Sequence, residues 1–451
     1  MSAVPPTPPR DPVLGHLRQI RANAVDFYLR SFTEYGDIVR LFFGRTPMYL
    51  LAHPDHIKYV LHENPKNFEK RSPGYTKMRT LFGDGLVTSD GEVWRKQRKV
   101  AQPAFHKERI AELATVMTRA TLEMLASWTS LEDTVVDVAP EMMRVTQRIV
   151  AETLLGTEAP ADADAVGDAV AYCLGDLVRR QTSLLDLPLS VPTPQNRRFV
   201  QQMKLVEDVV YRAIRERRAQ AAGARRDLLG LLMDAKDDEG SGAGLDDTEL
   251  RDQIFTIFVA GHETTANALV WTLYFLSLHP AWRRAVRQEV KDVLGDRTPE
   301  MSDVPKLVVL DRVLKESMRL KPPITRVGRR IARDVEIGGY PMAAGSFLVL
   351  SPYVTHRHPA FWENPEGFDP DRFLPEREAT RPRYAYFPFL GGPRQCIGNV
   401  FATVEAVLIL ALVVRRYDLD LVPGHPVEHE DAFSLRQKYG MRMRLRRAPE
   451  A

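Results

Sequence analysis

The run Phe389-Leu390-Gly391-Gly392-Pro393-Arg394-Gln395-Cys396-Ile397-Gly398 sets a cysteine on a glycine-rich turn just ahead of a helical stretch. Backbone amides of such a turn can point at the sulfur, and a helix start is electropositive, so both favour thiolate over thiol. Arg394 adds a cation two residues away. As a ligand to haem iron, a thiolate pushes electron density toward the metal and favours cleavage of an oxygen–oxygen bond. The same thiolate could act as a nucleophile, but that calls for a base such as histidine beside it, and the sequence shows none. The other cysteine, Cys173, reads as a small buried hydrophobe. With 2 cysteines in 451 residues there is neither a disulfide framework nor a four-cysteine zinc site. Such sparing use fits a reducing cytoplasm.

Three further groupings carry chemistry. In Ala260-Gly261-His262-Glu263-Thr264-Thr265 an acid and an alcohol interrupt an otherwise apolar helical run, and buried polar groups of that kind need partners. Gly261 costs about 1 kcal/mol inside a helix, so it wants a reason, such as close approach of a cofactor. A zinc-protease helix would need a second histidine where Ala266 stands. Glu316 and Arg319 are three apart and share a helix face, as do Trp94 and Arg98 at four apart. The latter present an indole donor and a guanidinium together, a combination suited to carboxylates. The neighbouring Arg95, Lys96 and Lys99 face outward as a solvated surface or as a docking patch for an acidic electron donor.

Elements able to hold these residues can be read around them. Asp37 to Leu51 is rich in strand formers and broken at Gly44, an early hairpin. From Arg109 to Ile214 apolar residues recur at helical spacing, interrupted by Pro188, Pro192 and Pro194. Asp237 to Gly244 is polar and glycine-rich, a surface loop. Asp246 or Asp247 caps a helix running to about Leu278, where His279-Pro280 ends it. At about 30 residues, roughly 45 Å, it crosses a whole domain, and being apolar on most faces it belongs in the core. A helix carrying Val313 to Arg319 stops at Pro322-Pro323. Arg333 to Val349 alternates like strands around a Gly338-Gly339 turn, and His356 to Pro388 is irregular. A last helix runs through Ala402 to Arg416. The fold class is mainly α with a minor β component, in one large domain over 1–451 with a proline-rich arm over 1–20. The longest apolar runs, such as Ala406 to Val414, fall short of the roughly 20 residues that span a bilayer, so no membrane anchor is expected. A formal net charge of +3 lacks the basic surplus of a nucleic-acid binder.

The cysteine segment resembles the cytochrome P450 signature Phe-x-x-Gly-x-(His or Arg)-x-Cys-x-Gly, with every fixed position matched, Phe389 included. The other groupings follow in that superfamily's order. The resemblance implies haem b lying between the long central helix and the cysteine loop, with Cys396 ligating the iron and O2 as co-substrate. Glu263 and Thr264 would hold water and relay protons during oxygen activation. Trp94, Arg98, Arg329 and Arg394 would grip haem propionates, with Arg330 an alternative to Arg329. Glu316 and Arg319 would lock to Arg372 as a structural clamp for the cysteine loop. Thr256, Val259 and Ala260, then Ile324, Thr325 and Val327, and Phe433 to Leu435 with Ser434 at the centre, would line a largely apolar pocket. Ser72 to Leu86 and Leu174 to Val206 would form its lid. The implied activity is a monooxygenase acting on a terpenoid, fatty-acid or polyketide-type substrate. Its electrons would come from a separate ferredoxin or flavodoxin with an NAD(P)H-dependent reductase, and the protein would be a cytoplasmic monomer. The alternative on the same fold is a haem-thiolate isomerase, dehydratase or peroxygenase, against which the intact acid–alcohol pair speaks.

Overall fold

The computed structural model describes residues 4–156, 163–182, 187–219, 227–234 and 244–449. The start of the proline-rich arm (1–3), most of the polar loop read at 237–244 and residues 183–186 of the expected lid lie outside them. The arm is pinned rather than free. Arg40 donates its backbone N–H to the Pro6 carbonyl at 2.8 Å. The fully buried His16 accepts the Phe42 N–H at 2.9 Å, with its other ring nitrogen 3.2 Å from the Pro8 carbonyl. The arm also ends sooner than its expected limit at residue 20. Helix α1 (Leu17–Tyr35) already includes Leu17 to Ile20, because Leu17 begins the apolar face that continues through Ala24, Phe27 and Tyr28.

Twelve strands form four small sheets among the described residues. In chain order they are β1 (Ile38–Phe43), β2 (Thr46–Leu51), β3 (Phe68–Glu69), β4 (Val135–Asp137), β5 (Val327–Ile331) and β6 (Val335–Ile337), then β7 (Tyr340–Met342), β8 (Phe347–Leu350), β9 (Tyr417–Leu421), β10 (His429–Asp431), β11 (Leu435–Gln437) and β12 (Arg442–Arg447). The β1–β2 hairpin turns at Gly44, whose φ of 60° lies in the left-handed region that glycine occupies without penalty. β2 then pairs in parallel with β8, β8 with β5 antiparallel, and β5 with β3 antiparallel at the far edge. β10 and β11 make a separate hairpin near the chain end.

Helices carry about 60% of the residues. After α1, those of ten residues or more are α2 (Pro73–Phe82), α3 (Gly91–Ala101), α4 (Lys107–Trp128), α5 (Val138–Leu155), α6 (Ala163–Thr182) and α7 (Pro194–Arg218), then α8 (Asp247–Leu278), α9 (Pro280–Leu294), α10 (Val308–Leu320) and α11 (Asn399–Arg416). Pro194 opens α7 instead of breaking it, because proline is tolerated at the first helical position and the Thr193 side chain caps the amide of Asn196.

Helix α8 organises the rest. Its start is a capping box in which Asp246 and Glu249 each accept the other's backbone N–H. It runs 32 residues, about 48 Å. Leu250 to Val259 sit in one apolar cluster with α5, α6 and α7, and Ala266 to Leu276 in a second with α4, α9, α10 and α11. The polar segment 260–265 falls where the two cores meet.

Candidate active site around Cys396

The cysteine loop is shaped by backbone demands that few residues meet. Gly392 has φ 66°, and a Cβ there would lie 1.8 Å from the Leu61 carbonyl oxygen, so only glycine fits. Leu390, at φ 59°, is held left-handed without glycine's freedom. The turn closes as Cys396 donates its N–H to the Phe389 carbonyl at 3.0 Å, and α11 begins three residues later. The Cys396 thiol is open to solvent, yet burial pushes its pKa up, with the Gly398 amide and then the Arg98 charge pulling it back. A group both reachable and desolvated lies at the floor of a deep cleft. The cation that acts on the sulfur is thus Arg98 and not, as the spacing suggested, Arg394. Arg394 turns away to pair with Asp90, donates to the Ser89 carbonyl at 3.2 Å, and lies 4.1 Å over the Trp94 ring.

Trp94 and Arg98 both meet this loop from α3, the second by donating to the Gln395 carbonyl at 2.8 Å. Of the arginine pair on β5, Arg329 is the inward one, buried and 3.4 Å from the Tyr75 hydroxyl, while Arg330 faces Glu69. Lys70, which sequence reasoning missed, completes the group. It is 9% exposed and donates to the Leu86 and Val87 carbonyls at 3.1 and 2.9 Å. Its pKa is driven well down by burial first, then by Arg394 and Arg329, with Arg98 contributing as well. Arg394 is held at about 10, also chiefly by burial. Among the described residues, four cations gather here, Lys70, Arg98, Arg329 and Arg394, and Asp90 is the carboxylate seen to pair with Arg394 and act on Lys70. Buried charge in such surplus calls for an anion, and the two carboxylates of a haem edge match it. Of the outward cations of α3, Arg95 pairs with Glu92 and Lys96 with Glu249 at 3.0 Å.

Behind the loop, Glu316 and Arg319 are both 0% exposed and joined by two bonds of 2.7 and 2.8 Å. Arg319 also donates to the carbonyls of His356, Pro365 and Gly367. Arg372 comes within 3.4 Å of Glu316 and donates to the Asn364 carbonyl. The three residues meet, and they grip the irregular segment by its backbone.

On α8 the structure separates the acid from the alcohol. Thr264 is partly exposed and donates to the Ala260 carbonyl at 2.7 Å. Glu263 is 7% exposed and points away, toward the chain-end hairpin, where it accepts the Ser434 hydroxyl at 2.7 Å. Burial raises its pKa, the Ser434 bond and Arg436 opposing. His262 is enclosed, held neutral by a pKa near 4, and bonds the Phe258 carbonyl at 2.6 Å. Among the described residues no histidine, cysteine, aspartate and glutamate grouping could hold a bare metal ion. Gly261 also meets a neighbouring helix. A Cβ there would sit 3.0 Å from Val150, so it lets α5 approach α8.

The stripe of α8 left partly exposed is Ile257, Ala260, Gly261 and Thr264, at helical spacing. Ala260 therefore faces the cleft, as do Ile324 and Val327, which are partly exposed. Five other expected lining residues do not, Leu435 among them at 0% exposure. Thr256 is 3% exposed and pressed against Gly85, where a Cβ would fall 2.1 Å from its hydroxyl. Val259 is 0% exposed within a core. Thr325 turns to Asp431 at 2.8 Å, and Ser434 to Glu263. Each is drawn off by a polar partner or by packing on the opposite side. Phe433 stays at the cleft, stacked on Phe82 at 5.6 Å.

A family model described as cytochrome P450 matches residues 5–443. The chain belongs to the cytochrome P450 family. This P450 is 37% identical over 428 residues to the cyclooctatin synthase of Streptomyces melanosporofaciens, covering 94% of this chain and 92% of that one. It is 35% identical over 417 residues to the cyclooctat-9-en-7-ol 5-monooxygenase of the same organism, covering 92% and 89%. Among solved structures it resembles the haem domain of cytochrome P450DA with a TM-score of 0.90 at 29% identity, covering 100% and 99%. The P450 is a haem-dependent monooxygenase with O2 as co-substrate. No helix among its described residues is long and apolar enough to cross a membrane.

Proposed function

We propose that this P450 hydroxylates or epoxidises a cyclic terpenoid in the cleft beside α8. Its electrons come from a ferredoxin or flavodoxin with an NAD(P)H-dependent reductase in the cytoplasm. The observation that carries the reading is the apolar stripe of Ile257 and Ala260 leading to the Thr264 hydroxyl, together with the partly exposed Ile324, Val327 and Phe433. Such walls suit a rigid hydrocarbon skeleton and give a fatty-acid carboxylate nothing to pair with. The similarity to bacterial terpenoid oxygenases points the same way. An optical titration of the haem-loaded protein with terpenoid alkenes and alcohols, fatty acids and macrolactones tests it. Terpenoids are expected to shift the Soret band to high spin at the lowest concentration, and a stronger response to either other class overturns the substrate assignment.

Haem, when bound, supplies the iron at which dioxygen is activated. Cys396 would ligate it, with Phe389 at the start of the loop. Trp94, Lys70, Arg98, Arg329 and Arg394 would hold its propionate edge. Arg98→Met removes a cation near both sulfur and propionates, and haem transfer to an acceptor apoprotein is expected to accelerate about tenfold. An unchanged rate would remove Arg98 from the haem site.

Thr264 presents its hydroxyl on the partly exposed stripe of α8, and Glu263, whose pKa burial raises, is the proton source behind it. Thr264→Ala is expected to lower product formed per O2 consumed by about tenfold while O2 consumption continues. If coupling is unaltered, Thr264 does not relay protons.

A further inference from the structure

Ser434 was expected to touch substrate, yet it is 1% exposed and its hydroxyl is spent elsewhere. It donates to Glu263 Oε1 at 2.7 Å and accepts from Asn267 Nδ2, also at 2.7 Å. Asn267 lies one turn beyond Glu263 on α8, so the serine is clamped between two residues of one helix face. The turn that carries it is tied down on every side. Asp431 accepts from Thr325 and pairs with Arg326. The Leu435 N–H donates to the Pro323 carbonyl at 2.8 Å, and its own carbonyl accepts the Trp271 indole at 2.9 Å. Only Phe433, immediately before Ser434, is left at the cleft, stacked on Phe82.

We infer that Ser434 is a positioning residue for oxygen activation, which sets the orientation of the Glu263 carboxyl from the anchored turn 431–435. Because Asn267 fixes the serine oxygen, its proton is directed at Glu263 and stabilises the ionised carboxylate. The charge that registers at Glu263 from the packed elements is Arg436, on the same hairpin and itself paired with Glu430 at 2.7 Å. The inference rests on Glu263 being the proton source.

Haem-loaded wild type, Ser434→Ala and Ser434→Thr should be compared by three measurements. Infrared titration of the protonated Glu263 carboxyl, identified by subtraction of Glu263→Gln, is expected to shift upward by about one pH unit in Ser434→Ala and to return toward wild type in Ser434→Thr. Product per O2 consumed is expected to fall about fivefold in the alanine variant and recover with threonine. Terpenoid affinity from the Soret shift should stay within about twofold of wild type in both. An unmoved Glu263 titration in Ser434→Ala overturns the inference, as does equal loss of coupling in both variants, which marks a packing role alone. If Glu263→Gln itself leaves coupling intact, the proton-source reading fails. If Glu263→Gln uncouples and Ser434→Ala does not, only the role of Ser434 fails.

Discussion

Cys396→Ala protein, supplied with haem, is expected to show no sulfur ligand in iron-edge X-ray absorption and to lose monooxygenase turnover on the order of a thousandfold. The expectation follows from the loop itself. Gly392 and left-handed Leu390 aim the thiol into the cleft, the Gly398 amide and Arg98 favour its charged form, and no other described residue is presented in the same way. Cys173→Ala is the matched control. That thiol is 0% exposed, and burial pushes its pKa up to about 12, so it is inert as a ligand and its loss should leave the iron–sulfur signal unchanged. A sulfur ligand surviving in Cys396→Ala would move the metal centre elsewhere.

The second large effect is on stability. Arg319→Ala leaves the Glu316 carboxylate at 0% exposure with Arg372 as its remaining cation and strips donors from three main-chain carbonyls. Breaking a buried pair from one side costs about 3–5 kcal/mol, against a typical total of about 5–15 kcal/mol. Urea unfolding of the haem-free protein is expected to show that loss, and haem incorporation should fall with it, since the segment behind the cysteine loop is no longer held. The triple variant Glu316→Leu/Arg319→Leu/Arg372→Leu should recover part of the stability, because no member of the clamp is then left charged and unpaired, but not haem incorporation, because the carbonyls still lack their donors. Equal midpoints for wild type and Arg319→Ala would show that the clamp contributes nothing.

What the sequence made legible was local. The cysteine loop, the Glu316–Arg319 pair, the Gly44 hairpin and the capped start of α8 depend on residues within a few positions of one another, where spacing translates directly into geometry. The chain's membership of the family is likewise carried by short ordered motifs. What escaped was set by distance along the chain. Lys70 joins Arg394 and Arg329 across more than two hundred residues, and nothing near Lys70 marks it. Ser434 reaches Glu263 from 171 positions away, so its partner was invisible and its family position suggested substrate instead. The choice of α8 face went astray at Thr256 and Val259 for another reason. The helix is apolar nearly all round, so its periodicity does not single out the side that meets the cleft. Arg394 was misjudged as the cation at the sulfur because two positions in sequence proved to be opposite sides of a turn.

Several main-chain oxygens in and beside the irregular segment from 356 to 388 are bonded by arginines. Arg319 takes three of them, Arg372 takes that of Asn364, Arg357 those of Leu320 and Tyr353, and Arg381 that of Arg372. A carbonyl oxygen is the same whatever side chain its residue bears. The anchoring is therefore blind to the identity of most residues it secures and strict about where their backbone lies. At the carbonyls so held, a change of side chain leaves the anchor intact, whereas one inserted or deleted residue carries the oxygen out of reach.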